Sequence, residues 1–202
     1  IADKQTFLYM KIRKQIGLWC LLCCLTANAQ KAVVKTNLLY DLAATANVGV
    51  EWGVTPHWTI DLSANYNGWT FGDNKKWKHW LLQPEARYWL CERFNGHFVG
   101  AHLLGGTYNL GNLDTDFKLF GTDFGQLKDY RFEGWMVGAG LTYGYHWILS
   151  RRWSIEAAIG IGYVYTRADK YECPHCGDKL EEDRKHHYFG PTKAAVNLIY
   201  AF

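Results

Sequence analysis

The chain has 202 residues, enough for one domain, and its formal net charge of +3 is too small to argue for a nucleic-acid partner. Aromatic residues make up 16% of it, with Trp 10, Tyr 13, Gly 20 and only Pro 4, a balance that suits interfacial girdles and closely packed strands. A mean hydropathy of -0.24 does not exclude a membrane protein, because half of every strand in a membrane barrel is polar.

Residues 1–9 lack a Met and read as an upstream extension from an over-extended gene start. Residues 10–29 read as a signal peptide: Met10-Lys11-Ile12-Arg13-Lys14 is basic, Ile16 to Leu25 is apolar, and Ala27-Asn28-Ala29 is a small-x-small cleavage site. The apolar run is too short to cross a bilayer as a helix, which needs roughly 20 residues. Residues 30–202 then form the exported domain, with Cys91, Cys173 and Cys176 in an oxidising compartment.

Strict alternation begins at residues 32–40, where Ala32, Val34, Thr36, Leu38 and Tyr40 share one face and Lys35 and Asn37 the other. It continues at 47–54, and at 58–66 with Thr59, Asp61, Ser63 and Asn65 on the polar side. A long loop, 67–80, carries Lys75-Lys76-Trp77-Lys78-His79. Strand 81–90 puts Gln83, Glu85 and Arg87 on its polar side, and strand 97–109 has a parity blurred by glycines. A second long loop, 110–131, leads to strands 135–147 and 153–166, and a third loop spans 167–187. The last strand sets Ala194, Val196, Leu198, Tyr200 and Phe202 against Lys193 and Asn197. Its apolar end, Leu198, Tyr200 and Phe202, resembles the C-terminal signal through which outer-membrane barrels meet the barrel-assembly machinery.

This pattern predicts an all-β fold, an eight-stranded antiparallel transmembrane β-barrel of the outer-membrane type, with mostly alternating long loops and tight turns. A soluble barrel with its greasy face inside has the same alternation, so parity alone leaves the orientation open. The signal peptide, the aromatics at strand ends and the loop asymmetry favour lipid outside. The inner face would then collect Lys35, Glu51, Asp61, Glu85, Arg87, Glu156 and Lys193. An eight-stranded barrel is just wide enough for side chains, so these charges should pair into a plugged, salt-bridged interior. The other reading is a narrow proton or ion path.

The loops hold Asp73, His79, Asp123, His186 and His187, but nothing positions a nucleophile beside a base, and the expectation is a protein without catalytic residues. The alternative is a barrel enzyme acting on lipid or protein. Cys173-Pro174-His175-Cys176 is either a loop disulfide or, with His186 and His187, half of a zinc site; no other cofactor is expected. The segment 74–80 suggests contact with lipid headgroup phosphates or a partner protein, or simple anchoring at a membrane surface.

Several phrases carry a resemblance: Lys35-Thr36-Asn37-Leu38-Leu39-Tyr40-Asp41, Asn74-Lys75-Lys76-Trp77-Lys78-His79-Trp80, Gln83-Pro84-Glu85-Ala86-Arg87-Tyr88-Trp89, Cys91-Glu92-Arg93-Phe94-Asn95-Gly96-His97 and Tyr188-Phe189-Gly190-Pro191-Thr192-Lys193-Ala194-Ala195. Together, from about Lys31 to Phe202, the chain resembles the domain of unknown function 3575 family of small outer-membrane proteins from Gram-negative anaerobes. The resemblance implies an outer-membrane location and brings no catalytic residues. Because members are often encoded near fimbrial or surface-adhesin genes, it also implies a structural or interaction role at the cell surface, with a fimbrial or other surface protein as partner.

Overall fold

The structure, a computed structural model, describes residues 32–72, 75–112, 118–119, 122–123, 128, 130–172 and 179–202. The predicted signal peptide, Cys173 and Cys176 lie outside the described residues. The chain runs through β1 (Ala32–Asn37), the one-turn helix α1 (Leu38–Leu42), β2 (Ala46–Gly53), β3 (Trp58–Asn67), β4 (Lys75–Trp89), β5 (Gly96–Gly111), β6 (Arg131–Ile148), β7 (Trp153–Tyr171) and β8 (Lys179–Ala201). Each strand pairs antiparallel with the next, and β8 returns to pair with β1, so the eight close into a ring. Thr70–Phe71 adds two residues to the upper edge of β4. Closure leaves no sheet edge along the lower half of the barrel.

The alternation resolves with the greasy side out. Ile60, Leu62, Leu82, Val99, Leu103, Val137, Leu141, Ile159 and Ile161 are all exposed on the outer wall. Lys35, Glu51, Asp61, Glu85, Arg87 and Glu156 lie inside, at 0–4% exposure. The interior is layered. Trp89 and Phe98 fill its lower end with Phe94 and pack against Ala158 and Ala195 of the wall above. Leu81, Leu104 and Val164, with Met136 and Tyr188, close its upper end. Gly144 faces Phe98 so closely that any side chain there would meet the ring, which fixes that position as glycine.

Several boundaries differ from those expected. β1 ends at Asn37 instead of reaching residue 40, because Asn37 becomes an N-cap whose side chain accepts the Leu39 N–H at 3.1 Å. Lys75 to Trp80 belongs to β4 and not to a loop, and residues 110–111 and 131–134 extend β5 and β6. Most of the expected third loop is strand too: β7 runs to Tyr171 and β8 begins at Lys179. These extensions rise above the apolar band, where both faces are polar and the two-residue period that marks a half-buried strand disappears.

The seam between β1 and β8 is short, from Val33–Ala201 to Asn37–Asn197. Asn37 terminates it. Its Oδ1 accepts the Val196 N–H at 3.1 Å and its Nδ2 donates to the Ala194 carbonyl at 3.1 Å, so one side-chain amide stands in for the next peptide of β1. Asn47 Oδ1 accepts the Asn37 backbone N–H at 2.6 Å, while its Nδ2 donates to Asp41 at 2.7 Å, and Thr36 donates to Asp41 at 2.9 Å. This explains how the first upper connection can be so short. Asn37→Ala is expected to cost about 1–3 kcal/mol, the price of buried backbone groups left unpaired. Denaturant unfolding measures that loss, and hydrogen exchange should quicken first at Val196.

Candidate functional site

The seven predicted interior residues come together around Arg87. Its Nη1 donates to Glu51 at 2.8 Å and to Glu156 at 2.9 Å, its Nε to Glu85 at 2.9 Å, and its Nη2 to Asp61 at 3.2 Å. Lys35 reaches Glu51 at 2.7 Å and Asp61 at 2.9 Å. Lys193 reaches Glu85 at 2.5 Å and Asp61 at 3.7 Å. The alternation of β1, β2, β3, β4, β7 and β8 delivers one or two of these side chains each to the same level. Only a fork with several donors can satisfy four carboxylates from one position, which is the chemical reason for Arg at 87.

Neutral groups complete the layer. Thr59 donates to Glu51 at 2.5 Å, Asn197 to Glu156 at 2.8 Å, and Trp89 Nε1 to Thr59 at 2.9 Å. The Arg87 guanidinium also lies 4.5 Å from the centre of the Phe98 ring. His146 Nδ1 stands 3.8 Å from Glu156. Above them, His102 bridges Thr142 at 2.8 Å and Thr192 at 2.9 Å, and Thr142 donates to Glu85 at 3.4 Å. Gly140 gives His102 its room, since a Cβ there would come 2.7 Å from the ring. Beside this layer lies a polar cavity of about 20 Å³, lined by Lys35, Asp61, Ser63, Asn65, Gln83 and Lys193 among others, room for a single water.

Thr59, Trp89, His102, His146 and Asn197 were not singled out in the sequence. Parity places Thr59, Trp89 and Asn197 on the inner side of their strands, and His146 opposite Tyr145 and Trp147, so alternation carried the signal for four of them. His102 sits where glycines hide the period.

Among the described residues, the sequence-predicted groups outside the barrel interior are not gathered. His186 and His187 are successive residues of β8 and so point to opposite faces, and His187 Nδ1 is hydrogen-bonded to the Tyr163 hydroxyl. Burial, then the charges of Arg184 and His187, hold His186 below its ordinary pKa. Among the described residues, no group of three or more His, Cys, Asp or Glu side chains is close enough to hold a metal ion. Leu198, Tyr200 and Phe202 mark the lower end of β8. Tyr200 packs edge-on against Trp153 and Phe202, at 5.1 Å and 5.5 Å between ring centres, and accepts a hydrogen bond from Arg152 at 3.0 Å.

The outer wall carries two rings of aromatic side chains. Trp58, Tyr88, Tyr145, Trp147, Trp153 and Tyr200 ring the lower end; Tyr66, Trp80, Trp135, Tyr163, Tyr165 and Phe189 ring the upper. Trp58 meets Tyr88 at 5.2 Å and Trp135 meets Tyr165 at 5.7 Å, edge to face. From Trp153 to Tyr165 the strand climbs about 30 Å, at ~3.3 Å per residue and a tilt of roughly 40°.

A family model described as "Protein of unknown function (DUF3575)" matches residues 16–202. The chain belongs to the DUF3575 family. The match takes in every strand of the ring, the Arg87 layer and both aromatic rings. No curated protein and no solved structure matches the chain.

Proposed function

We propose that this DUF3575 protein spans the outer membrane as a closed barrel and serves, without catalysis, as a structural or interaction element of the cell surface, linked to fimbria or surface-protein assembly. The observation that carries the location is the apolar outer wall between two aromatic rings. An exposed apolar surface of that extent is not stable in water, and the span between the rings approximates the ~25 Å apolar band of such barrels. Lipid covers that wall, and the Leu198, Tyr200 and Phe202 end of β8 engages the barrel-assembly machinery. The role rests on the strands that continue above the upper ring. There Lys179 pairs with Asp169 at 2.8 Å and Arg167 pairs with Asp183, so β7 and β8 offer a partner a charged, water-facing sheet. Hydrogen bonds to Asp169 and Glu182 raise the pKa of the Lys179 ammonium.

Gel mobility of the outer-membrane fraction, with and without boiling, tests the location. The unboiled protein is expected to migrate faster than the boiled protein; recovery in the soluble periplasm would overturn the reading. The layers above and below Arg87 support a closed interior, and planar-bilayer recordings are expected to show no unitary conductance.

A further inference from the structure

Directly above Trp80 and Trp135, on the outer wall, β4 and β6, on either side of β5, present three cations. The register aligns Lys76 with Gly111, Lys78 with Asn109 and Trp80 with Thr107, then Asn109 with Glu133 and Thr107 with Trp135. Arg131 comes beside Gly111, whose missing side chain leaves the space that a Cβ would share with it. Residues of this parity face outward, so Lys76, Lys78 and Arg131 stand on one wall with Glu133 among them. Glu133 is 3.9 Å from Arg131, a loose contact. The neighbouring charges on β7 are already matched, Asp169 by Lys179 and Arg167 by Asp183.

A second, independent feature points the same way. Among the described residues, few buried side-chain polar atoms lack a hydrogen-bond partner, and two of them, Asn109 Oδ1 and Arg131 Nε, belong to this patch. Turning the Asn109 amide over would place its Nδ2 donor at the same spot. The Arg131 guanidinium lies over the Tyr171 ring, 4.2 Å from its centre, a contact that restrains where its donors point. Burial, and then the charges of Arg131 and Lys78, lower the pKa of Lys76, which lies above the aromatic ring. Cations crowded in this way are relieved by an anion.

We propose that this wall binds the phosphate of a lipid headgroup, with Lys76, Lys78, Arg131 and Asn109 around the phosphate and Trp80 and Trp135 against the roots of its acyl chains. The height selects the ligand. The cations sit at the level where headgroups begin and face away from the barrel axis, so a lipid in the surrounding leaflet reaches them without entering the barrel. A fork of guanidinium donors beside two ammonium groups matches phosphate oxygens. The inference rests on the membrane reading above.

The test is native mass spectrometry of the full chain folded in a nonionic detergent, with a phosphorylated glycolipid and with the same glycolipid stripped of phosphate. Wild type is expected to retain the phosphorylated form at least about tenfold better, and Lys78→Gln with Arg131→Gln to lose that preference. Glu133→Gln, which removes the carboxylate beside Arg131, is expected to tighten it, a gain that a misfolded variant could not give. Equal retention of the two lipids, or an unchanged double variant, would overturn the proposal, as would full displacement by inorganic phosphate, which would mark a site for the free anion. Heat-modifiable mobility of the same samples separates the two failures. A folded barrel without phosphate preference refutes only this site, whereas absence of a heat-modifiable barrel refutes the membrane reading.

Discussion

Arg87→Ala is expected to leave little or no folded barrel. The substitution removes one side chain and strands four buried carboxylates: Glu51, Glu85 and Glu156 lose a partner at 2.8–2.9 Å, and Asp61 one at 3.2 Å. Lys35 and Lys193 then face those four groups alone. Breaking a single buried ion pair costs about 3–5 kcal/mol, which approaches the whole stability of an ordinary domain. Arg87→Lys keeps the charge but not the fork. One ammonium cannot reach Glu85, Asp61, Glu51 and Glu156 together, so this variant should fold with an intermediate loss. Combining Arg87→Met with Glu156→Gln should recover part of what Arg87→Met alone loses, because neutralising a stranded carboxylate removes part of the penalty. Unfolding by urea in lipid vesicles, followed by the fraction that keeps heat-modifiable mobility, measures each of these variants. An Arg87→Ala protein as stable as wild type would mean that the carboxylates find water or protons at little cost, and the interior could not then be the closed layer its geometry describes.

What was legible in the sequence follows from where the chain feels a boundary. Between the aromatic rings each strand has an apolar side and an interior side, and alternation there names Lys35, Glu51, Asp61, Glu85, Arg87, Glu156 and Lys193 without any structure. Which side is out is not written in parity, because inverting the barrel leaves the period unchanged; exposed Leu141 and Ile159 against buried Arg87 and Glu51 settle it. Above the rings both faces are wet, so Lys179 to His187 reads as loop although it pairs with β7. The end of β1 was hidden for another reason. Leu38 and Tyr40 continue the apolar period of Val34 and Thr36, and what stops the strand is an Asn37 side chain bonded to Ala194 and Val196, far away in sequence. The phrase Lys35-Thr36-Asn37-Leu38-Leu39-Tyr40-Asp41 thus has a physical content: an interior charge, a hydroxyl for Asp41, and a cap that serves helix and seam together.

A cation placed at the middle of the outer wall decides whether that wall lies in lipid. Leu141 is halfway between Trp147 and Trp135 on β6, faces outward at 67% exposure, and sits beside Ala101 of β5 and Ile161 of β7. In water, Leu141→Arg would remove an exposed apolar group and leave stability nearly unchanged or solubility improved. In a bilayer the same change puts a guanidinium at the midplane, far from either headgroup layer, at a cost of about 2–4 kcal/mol. The penalty should fall toward ~0–1 kcal/mol at Val137, just inside the upper ring, and at Tyr145, a member of the lower one, where an Arg reaches the interface. Refolding Leu141→Arg, Val137→Arg and Tyr145→Arg into vesicles and comparing their unfolding midpoints therefore gives a profile along one strand. A maximum at Leu141 places the hydrocarbon between the aromatic rings and fixes its centre. A flat profile would mean that this wall never meets lipid, and both the membrane reading and the phosphate site above Trp80 and Trp135 would fall with it.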